Sequence, residues 1–186
     1  MAEATDRERL KKILETLSVR RGEEFTLASG RKSTVYVDAR LTTLKAEAMP
    51  LIGRLFLDKM AERGWRPAAV GGLTMGADPI VAAIARESLE RPPVIDAFIV
   101  RKEAKRHGMQ RRIEGLGERG PLDVVIVEDV ATTGGSAAKA IEACREEGHR
   151  VLGAIALVDR EEGAAEHIEK DLACPFDRIF RLSELG

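Results

Sequence analysis

Residues 124–136 constrain this chain more than any other stretch. They read Val124-Val125-Ile126-Val127-Glu128-Asp129-Val130-Ala131-Thr132-Thr133-Gly134-Gly135-Ser136. Unbroken β-branched residues at 124–127 predict a short strand buried on both faces, the signature of a parallel sheet. Two acids follow where such a strand emerges at its carboxyl end, and a turn of Thr, Gly and Ser then leads into a helix-like run at 137–147. Open α/β sheets bind ligands outside the carboxyl ends of their strands. A small-residue turn at a helix amino end offers backbone N–H groups and hydroxyls to an anion. The glycines let the backbone approach that anion closely.

The nucleotide P-loop is excluded, because no Lys follows the glycines directly and two carboxylates precede them. Carboxylates would repel a phosphate in the cradle and need a partner of their own. An ionised carboxylate is a pure acceptor, so sugar hydroxyls suit it. A phosphate cradle beside acids for hydroxyls describes a ribose 5-phosphate pocket. An ordinary strand-turn-helix unit has no reason to combine the acid pair and the loop at this spacing.

The totals narrow the setting. At 186 residues the chain suits one domain with a real core, residues 1–186 together. A net charge of −1 gives no global field for nucleic acid, and 4% aromatic content offers no stacking platform for single strands. Cys144 and Cys174 lack metal-ligand spacing and fit a reduced interior. The segment through Arg9 is polar and charged, unlike a signal peptide, and no apolar run reaches membrane-spanning length. A cytoplasmic protein is expected.

In chain order, Leu10, Ile13, Leu14 and Leu17 recur at helical spacing and predict a first helix over residues 6–17. Residues 25–38 read as a hairpin about a Ser29-Gly30 turn. Residues 46–63 predict a long helix that tolerates Pro50 only in its first turn, with Gly64 as the stop. A buried strand at 68–72 leads through a glycine-rich turn to a helix at 80–89, with Asp78 as N-cap and Pro79 at the first helical position. Residues 94–100 and 150–158 are further strands, 164–172 a helix, and 176–182 a final edge strand. Between residues 101 and 120 lies a strongly basic segment without helical or strand period. Alternating strands and helices imply an α/β fold with a mostly parallel sheet flanked by helices.

Three motifs together resemble the orotate phosphoribosyltransferases, within the type I phosphoribosyltransferases. Residues 124–136 are similar to the signature for phosphoribosyl pyrophosphate (PRPP). The run Phe25-Thr26-Leu27-Ala28-Ser29-Gly30-Arg31-Lys32-Ser33, followed by Tyr36-Val37-Asp38, resembles the family's amino-terminal hood over the base. Arg101-Lys102-Glu103-Ala104-Lys105-Arg106-His107-Gly108 resembles its catalytic loop. The resemblance implies a small hood at about 20–45 and a mobile loop at about 101–120. It implies transfer of the phosphoribosyl group of PRPP to orotate, giving orotidine 5′-monophosphate and pyrophosphate in pyrimidine biosynthesis. Contacts to PRPP are implied for Arg101, Lys102, Lys105, His107, Glu128, Asp129, Val130, Ala131, Thr132, Thr133, Gly134, Gly135 and Ser136. Thr132 and Arg160 are implied for orotate, and Lys105, His107 and Asp129 for catalysis. Mg²⁺ would arrive on PRPP, without a metal site of the protein. A homodimer sharing its active sites is implied, without nucleic acid or membrane partners.

Two departures stand out. Many members have Lys at the position of Ala28, and members with a Tyr-Lys pair in the glycine-rich turn use that Lys; here the pair is Thr74-Met75. Three other readings compete. They are transfer to another base such as a purine, a PRPP-binding regulator without catalysis, and a PRPP-making enzyme. The basic-loop motif opposes the first. Near-zero net charge opposes the second, and the lack of an ATP site the third.

Overall fold

The computed structural model describes residues 4–26, 32–103 and 112–186. The first helix, α1 (Asp6–Leu17), spans the range its periodicity predicts. The Thr5 hydroxyl accepts the Glu8 N–H at 3.2 Å, and the Glu8 carboxylate accepts the Thr5 N–H at 2.8 Å. This reciprocal cap satisfies donors that a helix otherwise leaves free. The chain then forms an antiparallel hairpin, β1 (Val19–Thr26) and β2 (Lys32–Val37), with Val19 opposite Val37. It starts earlier than residue 25, and the Phe25 and Tyr36 rings stack obliquely with centroids 5.5 Å apart. Its tip, including Ala28, Ser29, Gly30 and Arg31, lies outside the described residues.

Next come a short helix α2 (Arg40–Thr43) and α3 (Met49–Glu62). Pro50 sits in the first turn of α3, where its missing N–H has no intrahelical partner to lose. Strand β3 (Ala69–Leu73), helix α4 (Asp78–Ser88) and strand β4 (Asp96–Val100) follow. Asp78 is not the N-cap expected from the sequence. It already lies in the helix after Ala77, and its Oδ2 accepts the Thr74 hydroxyl at 2.8 Å. That partner from the preceding turn takes the carboxylate away from the helix's own amides.

The basic segment is not wholly irregular. Ile113–Glu114 forms a two-residue strand, β5, antiparallel to β4, and the Arg101 N–H donates to the Arg112 carbonyl at 2.8 Å. Ile113 and Leu116 are buried, which pins the carboxyl side of the segment to the sheet. The chain continues through β6 (Asp123–Ala131), α5 (Gly135–Glu146) and β7 (Arg150–Asp159). It ends with α6 (Ala164–Glu166), a wider turn over His167–Asp171, and β8 (Phe176–Arg181).

Among the described residues the main sheet has the order β5-β4-β3-β6-β7-β8, with only β5 antiparallel. Side chains alternate along the central strand. Val125 and Val127 pack with Leu10, Phe56, Ile80 and Ile84 of α1, α3 and α4 on one face. Val124 and Ile126 pack with Phe98, Ile141 and Ile168 on the other, under α5. Burying each such side chain contributes roughly 1.5–3 kcal/mol, so the four-residue apolar run holds both layers together. Arg54 of α3 pairs with Asp6 at 2.6 Å and Glu87 at 3.4 Å, joining three helices on the first face.

Candidate active site at the carboxyl edge of the sheet

Pairing around β6 shapes the site. On one side, β3 pairs with β6 only from Ala69–Val124 to Gly71–Ile126. On the other, β7 stays with β6 through Glu128–Ala156 to Ala131–Asp159. The acids therefore lie inside the strand, not just beyond it, and they face the gap where β3 has turned away. From β3 the chain crosses to β4, and from β6 to β7 on the opposite side. This is a topological switch point, where open α/β sheets place ligands.

A cavity of about 250 Å³ fills the gap. Its walls are Tyr36, Asp38 and Arg40 from the hood side, Thr74, Met75 and Gly76 from the turn after β3, Lys102 from the basic segment, and Glu128, Asp129 and Ser136. An adjoining recess, lined by residues 132–136 and Lys139, shares Glu128, Val130 and Ser136 with it. The recess is the turn that the sequence marks as an anion cradle. Gly134 there has φ 80°, a left-handed conformation, and as the residue before α5 it brings no side-chain cap of its own. A Cβ at Gly134 would also meet Ile168 at 3.2 Å.

The two acids differ. Glu128 accepts from the Ser136 hydroxyl and the Ala137 N–H, at the first turn of α5, while its Oε2 is buried without a hydrogen-bond partner. Burial, reinforced by the neighbouring Asp129 charge, pushes its carboxyl up to about 8. Asp129 is raised chiefly by burial, with hydrogen bonding to the Val130 N–H at 2.9 Å and the nearby Arg40 charge acting the other way. No group of three or more His, Cys, Asp or Glu among the described residues could cage a metal. A single carboxylate plus substrate phosphate oxygens is, however, a common donor set for Mg²⁺, and Asp129 is the acid here that could complete it.

Arg160 lies away from the cavity wall, beneath the hood. Its side chain is 4% exposed and bonds Glu162 at 2.9 Å, the Val35 carbonyl at 3.3 Å and the Ser33 hydroxyl at 3.2 Å. Its backbone N–H donates to the Ala131 carbonyl at 2.8 Å, locking it to the end of β6. The turn that carries it is held by Asp159, which accepts the Glu161 N–H at 2.8 Å and pairs with Arg178 at 3.1 Å.

The structure thus brings Lys102, Glu128, Asp129, Val130, Thr132, Thr133, Gly134, Gly135 and Ser136 to one connected hollow. Ala131 is buried behind it. The Arg101 guanidinium is part-exposed, 3.8 Å from Glu114. Lys105 and His107 lie outside the described residues. Sequence reasoning missed Arg40 and Lys139; it shows Asp38 only as part of the hood motif, and Gly76 only within a glycine-rich turn able to hold a phosphate by its backbone. Of the two that were missed, Lys139 left a usable signal, four residues after Gly135 and so on the same helix face. A hollow of about 440 Å³ between Ile113, Glu147 and His149 shares no residue with the acids.

The Phosphoribosyl transferase domain model matches residues 41–180. The orotate phosphoribosyltransferase of Aquifex aeolicus is 48% identical over 185 residues, 97% of each chain. The crystal structure of the orotate phosphoribosyltransferase of Mycobacterium tuberculosis with Fe(III) dicitrate superposes with a TM-score of 0.84 at 44% identity, covering 98% of this chain and 99% of that one. The same enzyme in complex with PRPP gives a TM-score of 0.81 at 41% identity over 98% and 99%.

Proposed function

The chain belongs to the orotate phosphoribosyltransferase family, enzymes that move the phosphoribosyl group of PRPP to orotate and release pyrophosphate, and we propose that its own site is the hollow at the carboxyl edge of the sheet. One observation carries this placement. A buried acid pair stands beside a helix amino end whose N-cap is a glycine without a side chain, so hydroxyl acceptors and a phosphate cradle are built from one short stretch of chain.

In this reading residues 131–136 anchor the 5′-phosphate and fix C1 of the ribose toward the base. Burial keeps Glu128 largely neutral near pH 7, so the acid closest to the cradle does not repel the phosphate. Asp129 holds ribose hydroxyls and stabilises the positive charge that develops as the C1–oxygen bond breaks. Magnesium arriving with PRPP would neutralise charge on the diphosphate and make pyrophosphate a better leaving group. Lys105 or His107, with Arg101 and Lys102, meets the leaving group, and closure of the part of the basic segment that precedes β5 excludes water from the ribosyl cation. Arg160 and Thr132 orient orotate under the hood. Anionic orotate needs no strong base. The working unit is a cytoplasmic homodimer of single-domain subunits that share the basic segment across the interface.

The test is loss of orotate ultraviolet absorbance with PRPP and Mg²⁺, with adenine, hypoxanthine and uracil in parallel. Consumption of orotate alone, abolished by a chelator, is expected. Turnover of a purine instead would overturn the base assignment, and binding of PRPP without turnover would overturn the enzyme reading.

A further inference from the structure

The diphosphate end of the substrate carries more charge than the phosphate end, yet the turn after β3 supplies no cation. Leu73, Thr74, Met75 and Gly76 are all uncharged. The Thr74 hydroxyl is already donated to Asp78 at 2.8 Å. The cations that the described part of the cavity presents are Arg40 and Lys102. Arg40 is the first residue of α2 and lines the same cavity as that turn.

Resting on the site reading above, we infer that Arg40 binds the diphosphate of PRPP, with Asp38 as the residue that positions it. Asp38 Oδ1 accepts from Arg40 Nε at 2.9 Å and Asp38 Oδ2 accepts from Nη2 at 3.1 Å. These bonds use two of the five guanidinium N–H groups and fix the plane of the fork. Three donors stay available for phosphate oxygens, a geometry that a planar guanidinium suits better than a flexible ammonium. The side chain is 48% exposed, so it reaches solvent where a diphosphate would enter. Asp38 itself is held, because its N–H donates to the Ser18 carbonyl at 2.9 Å. The rigid chelate means that little side-chain order is left to lose when phosphate arrives.

Titration calorimetry of the full chain with magnesium pyrophosphate and, separately, with orotidine 5′-monophosphate tests this. The monophosphate fills the ribose and base regions but has no diphosphate. Arg40→Ala is expected to weaken magnesium pyrophosphate binding roughly 10- to 100-fold, the scale of a lost charge-assisted pair. Orotidine 5′-monophosphate binding should stay within about 2-fold. Arg40→Gln, which keeps the side-chain length, should behave alike, and thermal melts confirm that each variant is folded. Unchanged pyrophosphate binding in both variants would overturn the inference. Equal loss of both ligands would also overturn it, since Arg40 would then only be shaping the cavity. Wild-type protein that binds neither ligand would instead refute the site reading beneath it.

Discussion

The backbone of Gly76 lies against the carboxylate of Asp129. A Cβ built at Gly76 would stand 2.6 Å from Asp129 Cγ and 2.7 Å from Oδ2, far inside contact distance. The turn after β3 and the acid inside β6 are therefore interlocked, and the acid's position depends on a missing methyl group. Gly76→Ala should displace the Asp129 carboxylate and lower kcat/KM for PRPP about 100-fold, since small misplacements at a reacting centre have effects of that order. Overpacking should cost about 1–3 kcal/mol of stability. Steady-state kinetics with a thermal melt separate the two effects, and a variant with normal kinetics would show that the contact is incidental.

The acids should respond differently to loss of charge. Glu128→Gln copies the neutral carboxyl that burial already favours, so KM for PRPP below pH 8 should change less than about 3-fold. Asp129→Asn removes the charge facing the ribosyl cation and should lower turnover about 100-fold. Stability supplies an independent check. The folded state holds the Glu128 proton up to about pH 8, while the unfolded chain releases it near 4.5. Between those values the folded state binds more protons, so wild-type stability falls as pH rises and levels off above 8. Glu128→Gln lacks this slope. Melts at pH 5 and pH 8.5 should show the variant gaining on wild type with pH, and parallel curves would contradict the burial of this carboxyl.

Arg160 joins the end of β6 to the hood through Ser33 and Val35. Arg160→Ala should raise KM for orotate about 10- to 100-fold, the scale of a lost charge-assisted pair. KM for PRPP should move far less. Arg160→Lys should not rescue, because one ammonium cannot reproduce bonds to Glu162, Val35 and Ser33 together. Equal rises in both KM values would mean that Arg160 merely supports the fold.

The features legible in the sequence were those with a local period or a dense motif. The apolar run at 124–127, the amphipathic α1 and the Gly-Gly turn fall where their residues place them. The features that escaped depend on neighbours distant in the chain. Strand β6 runs through its acids because β7 continues beside them, a matter of register that a single strand does not encode. Strand β5 is two residues long and exists through pairing with β4, so no periodicity announces it among the surrounding arginines. Arg40 opens a four-residue helix, and its convergence with Asp38 on the cavity follows from the turn after β2 rather than from any pattern. Asp78 kept helix-cap chemistry on paper but is captured by Thr74.

Lys139 supplies a last test of the cradle. It sits on the first turns of α5, exposed, and lines the recess with residues 132–136. Among the described residues no acid pairs with it, so its ammonium is available to a phosphate dianion. Solvent screens an exposed charge, and a pair of this kind contributes only about 0.3–1 kcal/mol. Lys139→Ala should therefore raise KM for PRPP about 2- to 5-fold with kcat unchanged, because 5′-phosphate binding is equal in ground and transition states. The difference from wild type should shrink as ionic strength rises, since the Debye length falls from about 10 Å at 0.1 M salt to about 3 Å at 1 M. A KM that stays at the wild-type value in low salt would place the 5′-phosphate beyond reach of this helix face, and with it the cradle assignment.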